Sequence, residues 1–234
     1  MADRPEPPGI FTVSQRTRER RRQLVALSSR GIFEQGYEKF SVNHLAAEAG
    51  LSVGGIYRYI STKSDLLVMA CEDIYGGLQE ALEQAVRDTT GSEQQLRSAF
   101  ALYLAACEAA KDQVILLYRE YRNLPLEAQR RYKDRESRIA ELFAEVITTG
   151  QRAGEFYPVD PQTVAQDMVL LGHLPALKGW ALGERAGERL AREQIDLVIA
   201  ALSSGPARTS PKGPSHPERR SQDTPWLSGQ KGTP

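Results

Sequence analysis

Five arginines fall within seven positions near the N-terminus, Arg16, Arg18, Arg20, Arg21 and Arg22, opposed inside that run by Glu19 alone. Such a stripe is the electrostatic footprint of a polyanion contact, and equally the pattern of an ordinary solvated helix face. A second group spans residues 53–63, where Val53, Gly54 and Gly55 are small, Tyr57 and Tyr59 carry hydroxyls, and Arg58 and Lys63 carry charge. A helix entering a DNA major groove about 12 Å wide needs small residues near the base edges and phosphate donors on its flanks. Val53, Gly54 and Gly55 meet the first need; Tyr57, Tyr59 and Lys63 meet the second. Because Val53 and Gly55 have no side-chain hydrogen-bonding group, Arg58 is the candidate for reading a base edge, with guanine as its natural partner and a phosphate as its other reading.

Other chemistry is poorly supplied. Cys71 and Cys107 stand far apart without a C-x-x-C spacing, and there are three histidines, so local spacing builds neither a disulfide framework nor a zinc site. No metal and no cofactor are expected. Phosphate-cradling glycine loops and triad-like patterns are absent, and Cys107 with His173 is the single nucleophile–base pair that can be proposed, although nothing in the sequence places them together. No enzymatic activity is expected.

The elements that position these groups all read as helices. Apolar residues recur at helical spacing over 14–34, followed by Gly36 as a stop. Ser41 precedes Val42, Leu45, Ala46 and Ala49 and is placed to cap a two-turn helix, and Ser52 to cap a third that carries Ile56, Tyr57 and Ile60. Two short helices joined by the Ala49-Gly50-Leu51 turn make a helix-turn-helix. Longer helical patterns cover 63–87, 93–110, 113–123, 126–153, 161–182 and 189–202, with a kink expected at Pro175. Residues 205–234, rich in Pro, Ser, Gly, Lys and Arg, read as a disordered tail. The fold class is therefore all-α. The 234 residues, 41% hydrophobic and 26% charged, suit one domain or two small ones. The formal net charge of zero hides a segregation, with +4 over residues 1–63, −7 over 64–204 and +3 over 205–234. No apolar run approaches the roughly 20 residues of a membrane span, and residues 1–9 offer proline and charge where a secretory signal needs an apolar core. A cytoplasmic location without a membrane partner is expected.

The stretch Gly36-Tyr37, Ser41-Val42, Leu45-Ala46, Ala49-Gly50-Leu51-Ser52, Gly54, Ile56-Tyr57, Lys63 and Leu66-Leu67 resembles the N-terminal domain of TetR-family transcriptional regulators, over roughly residues 18–68. Two departures stand out: Tyr59 where the family often has His, and Ile60 where it usually has an aromatic residue. The resemblance implies a three-helix DNA-binding domain at 14–62 and a helical ligand-binding and dimerisation domain at 63–204. It also places Tyr57 and Lys63 at phosphate-contact positions; Arg16, Arg18 and Arg20 from the charge run, with Ser41 and Ser52, join them as DNA-binding candidates. In the second domain Phe100, Tyr103, Leu104, Cys107, Tyr118, Tyr121, Phe143, Met168 and Trp180 become candidate pocket linings. Arg119 and Arg122, one turn apart, become candidates for meeting an anionic group at a cavity mouth, and no carboxylate is evident on the apolar faces to receive a cation. The expected function is a homodimeric regulator, a repressor released from a palindromic double-stranded DNA operator by a small apolar anion, with an acyl-CoA as the leading candidate. The alternative is a small-molecule-binding or catalytic helical protein that retains the helix-turn-helix as scaffold. The last two helices, with Leu171, Leu174, Leu177 and Leu197, carry more apolar surface than a terminal hairpin needs and are the expected dimer interface.

Overall fold

The structure, a computed structural model, describes residues 15–183 and 187–203; the tail reading for 205–234 lies outside the described residues. Ten α-helices follow in order among them: α1 Gln15–Gln35, α2 Val42–Glu48, α3 Val53–Ile56, α4 Asp65–Tyr75, α5 Leu78–Arg87, α6 Ser92–Ala109, α7 Lys111–Glu120, α8 Leu126–Ala153, α9 Pro161–Leu182 and α10 Glu188–Ser203. A 3-10 turn at Tyr121–Asn123 joins α7 to α8. No strand occurs among the described residues, and no helix there is long and apolar enough to cross a membrane.

Local sequence explains most helix starts. The Ser41 hydroxyl accepts the Asn43 N–H at 3.2 Å and the Ser52 hydroxyl accepts the Gly55 N–H at 3.1 Å. Asp160 accepts the N–H groups of Gln162 and Thr163, ahead of Pro161 in the first turn, where a missing N–H costs nothing. One expected element divides. The helical pattern over 63–87 starts at Asp65 and breaks at Gly76-Gly77, where Gly77 takes φ +77° and a Cβ on Gly76 would stand 2.6 Å from the Glu72 carbonyl oxygen. Only glycine adopts that left-handed turn at little cost, so the apolar periodicity continues across a point where the backbone cannot.

Leu24, Leu45, Ile56, Ile60 and Leu66 are buried between α1, α2, α3 and α4. Ile60 fills its position without an aromatic ring. Larger side chains form the second core: the Phe143 ring of α8 meets Phe100 and Tyr103 of α6 edge to face, with centroids 5.9 and 5.7 Å apart. Helix α9 approaches α6 so closely that a Cβ on Gly172 would stand 2.3 Å from the Tyr103 ring. Pro175 lies inside α9, and the departure from helical geometry falls at Lys178, with φ −127° and ψ 16°. The carbonyl of Leu171, which loses its helical partner to Pro175, instead accepts the Gln194 Nε2 of α10 at 3.1 Å. That bond binds the two C-terminal helices together one turn ahead of Pro175.

Candidate functional site

The helix α3 presents two different faces. Val53 and Tyr57 are exposed, Tyr57 to 51%, and Gly54 opens onto empty space, whereas a Cβ on Gly55 would touch the Ser52 hydroxyl at 3.3 Å. Gly54 therefore belongs to the outward face, and Gly55 lies under the cap. Arg58 is exposed and makes no hydrogen bond or ion pair among the described residues, which leaves its guanidinium available. Tyr59 turns the other way, half-buried against the core. Lys63 is held in place: its Nζ donates to the Glu38 carbonyl at 3.2 Å and lies 4.4 Å from the Tyr37 ring centroid. The loop ahead of α4 is pinned by Asp65, whose carboxylate accepts the N–H groups of Ser61 and Thr62 at 2.7 and 2.8 Å. Partial burial opposes ionisation there, yet these hydrogen bonds hold the Asp65 carboxyl below the usual carboxylate range.

The arginine run on α1 divides in function. Arg21 pairs with Glu72 at 2.8 Å and Arg22 approaches Asp73 at 4.0 Å, so the acidic end of α4 occupies two of the five charges. Arg20 donates to Gln23 at 2.7 Å and to the Ala49 carbonyl at 3.3 Å, tying α1 to the end of α2. Arg18 is exposed beside a polar cleft that Arg21, Arg22, Glu72 and Asp73 also line. The Arg16 side chain lies outside the described residues. Exposed ion pairs of this kind contribute little stability, so their effect is on the orientation of α1 against α4.

In the second core, five helices converge on a buried polar cluster centred on His173, whose exposure is 1%. Tyr103 donates its single hydroxyl proton to the Val169 carbonyl at 3.1 Å, so its oxygen accepts from His173 Nε2 at 3.1 Å. His173 Nδ1 is then the acceptor for the Tyr118 hydroxyl at 3.0 Å, which assigns the tautomer from the network. Burial lowers the His173 pKa to about 4, so the ring is neutral near pH 7. Glu136 of α8 stands 3.7 Å from Nε2 and accepts the Tyr132 hydroxyl at 2.9 Å. Burial raises its pKa, and the Tyr132 and Tyr75 hydroxyls oppose that rise. Tyr132 and Tyr75 also meet edge to face, at 5.6 Å between centroids. The helix α4 thus reaches the DNA-side helices through Glu72 and Asp73 and this cluster through Tyr75.

Here the structure adds what the sequence pattern omitted. Glu136 is a half-buried carboxylate at the edge of the aromatic core, where none was expected; its i+4 relation to Tyr132 was the available signal. Cys107 and His173 flank Tyr103, with burial pushing the Cys107 thiol up to about 12, so neither member of that pair is activated for nucleophilic chemistry.

The remaining lining candidates scatter. Phe100, Phe143 and Met168 are fully enclosed core. Tyr121 packs on Tyr132 with its hydroxyl buried and unpartnered. Trp180 is 82% exposed, with Lys178 5.5 Å from its ring centroid. Arg119 donates to the Phe33 carbonyl at 3.2 Å and covers the Phe33 ring at 5.0 Å, so it serves the contact between α7 and α1, and Arg122 is exposed on the 3-10 turn. A cavity of about 550 Å³ opens elsewhere, between α6, α9 and α10, and of the candidates Leu104 alone lines it, beside Ala105, Pro175, Leu190 and Ile195.

Comparison with known proteins follows the same division. The family described as "Bacterial regulatory proteins, tetR family" matches residues 25–70, and "Tetracyclin repressor-like, C-terminal domain" matches residues 89–202. The transcriptional regulator HbdR of Aromatoleum sp. (strain CIB) is 27% identical over 176 residues, covering 75% of this chain and 77% of its own. A bacterial regulatory protein of the tetR family from Rhodococcus RHA1 superposes with a TM-score of 0.71 at 19% identity, over 80% of this chain and 99% of the other. The structure of AibR in complex with isovaleryl coenzyme A and operator DNA superposes with a TM-score of 0.63 at 20% identity, over 79% and 98% of the two chains.

Proposed function

The chain belongs to the tetR family of bacterial regulatory proteins, and from that premise we infer that it is a cytoplasmic homodimeric repressor, released from a near-palindromic operator by a small apolar or CoA-thioester effector. Residues 14–62 are the DNA-binding unit and 63–204 the effector-binding and dimerisation unit. On the DNA side Val53, Gly54, Tyr57 and Arg58 enter the groove, while Lys63 and Arg18 meet phosphates. The observation that carries the reading is the double attachment of α4. Its Glu72 and Asp73 hold Arg21 and Arg22 of α1, while its Tyr75 packs on Tyr132 beside Glu136. A ligand that repacks the aromatic core therefore moves α4, and with it the spacing of the two recognition helices in a dimer. The dimer face is the surface of α9 and α10 where Leu170 and Leu197 are 54% and 64% exposed. The rival reading, a catalytic or binding protein with a vestigial helix-turn-helix, is not favoured, because the relatives are named transcriptional regulators. An operator fragment recovered by selection from random duplex DNA tests the reading. Tight, palindrome-dependent and steeply salt-dependent binding is expected, with release by an acyl-CoA. Salt-sensitive binding without preference for any sequence overturns it.

A further inference from the structure

We propose that the cleft where α4 breaks from α5 holds the phosphate-bearing end of the effector, with Arg135 and Arg138 of α8 as its anion clamp. This rests on the CoA-thioester reading above and gives that ligand a location. The cleft has a volume of about 250 Å³ and is walled by Tyr75, Gly76, Gly77, Gln79, Arg135 and Arg138.

Two observations converge there. Arg135 and Arg138 are three residues apart on α8, hence on one face, and neither makes a hydrogen bond or ion pair among the described residues. Their neighbour Arg131 is instead paired with Glu127 at 3.3 Å, and Glu80, the carboxylate on the cleft wall, lies beyond ion-pair distance of both. Two unpaired guanidiniums flanking a cavity are suited to bidentate recognition of phosphate oxygens. Second, α5 begins in the cleft at Gly77, which supplies no side-chain cap, so the first-turn N–H groups of this ten-residue helix have no intrahelical acceptor and point the positive end of its dipole into the site.

The rest of the ligand has a matching surround. Ile139, also on the cleft wall, precedes Phe143 by one helical turn, and the Phe143 ring meets Phe100 and Tyr103. The aromatic core is closed behind Ile139, so an acyl group entering past Arg135 and Arg138 must displace that side chain to reach it, which is the repacking the proposed release requires. Its phosphates would sit at the end of α4, one turn beyond the Glu72 and Asp73 that hold α1. Arg135 and Arg138 thus replace Arg119 and Arg122 as the anion-reading pair.

The test is calorimetry on the full chain with isovaleryl-CoA, stearoyl-CoA, free coenzyme A and stearate, with R135Q/R138Q and the single variant R138E beside the unaltered protein. Operator affinity without ligand should be unchanged in both variants, which shows that they fold and that these arginines do not face DNA. Affinity for the three coenzyme A compounds should fall about tenfold or more, with stearate unaffected. Unchanged coenzyme A affinity in both variants overturns the site while leaving the proposed function intact. Loss of stearoyl-CoA binding in A101W, which fills the cavity between α6, α9 and α10, with no loss in the arginine variants, overturns it in favour of that cavity. Failure of the unaltered protein to bind any of the three coenzyme A compounds overturns the site together with the CoA-thioester reading it rests on.

Discussion

Replacing Gln194 by Leu keeps nearly the volume of a buried side chain and deletes its donation to the Leu171 carbonyl. That carbonyl has no helical partner because Pro175, four residues on, has no N–H to give. A carbonyl left unsatisfied costs about 1–3 kcal/mol, which for a chain of this size lowers Tm by roughly 2–4 °C per kcal/mol. The cost has an internal control. In the P175A background the restored amide at position 175 can bond the Leu171 carbonyl itself, so Q194L should cost about 1–2 kcal/mol less there than in the unaltered chain. P175A alone also loosens the unfolded chain, but that effect cancels in the double-mutant cycle. Urea unfolding at one fixed protein concentration measures all four corners, the concentration being held because dimerisation contributes to stability. Additivity of the two substitutions within about 0.5 kcal/mol refutes the claim that Gln194 substitutes for the missing proline N–H.

Arg58→Ala should cost on the order of 1–3 kcal/mol at one operator position, whereas Lys63→Ala should weaken all sequences alike and reduce the salt slope by about one, both read by anisotropy titration over a salt series. Leu170→Glu with Leu197→Glu should shift sedimentation from dimer to monomer and abolish operator binding, since both side chains are more than half exposed on α9 and α10. His173 is neutral in the fold, its pKa lowered from 6.5 to about 4, so its contribution is complete above pH 6.5 and is lost as pH falls toward 4. The whole shift is worth about 3 kcal/mol at 1.36 kcal/mol per pH unit. Burial raises the Glu136 pKa, which works in the opposite direction and offsets part of this. His173→Gln should therefore flatten the fall in urea midpoint between pH 7 and 4.5. Gly172→Ala should destabilise by about 1–3 kcal/mol, because its Cβ would meet the Tyr103 ring at 2.3 Å, and Tyr103→Leu should recover part of that loss.

Elements whose cause is local were legible in the sequence. Ser41 and Ser52 cap the helices they precede, α9 starts at Pro161, and the small outward face at Val53 and Gly54 follows from residue type and register, because caps and helix faces depend on neighbours within four positions. The Gly76-Gly77 break was missed although its dipeptide was visible, since apolar spacing registers which side chains face the core and is blind to a left-handed backbone turn between them. Tertiary structure alone decided which charges are spent and which are available. Arg21, Arg22 and Arg119 have partners brought from other helices, while Arg58, Arg135 and Arg138 have none among the described residues. It also decided that Tyr75, Tyr103, Tyr118, Tyr132, Glu136 and His173, scattered over five helices, form one polar cluster. Periodicity assigns a side chain to a face, but pairing across helices depends on how those faces meet, and that is set by packing between residues as far apart along the chain as Tyr103 and His173, 70 positions.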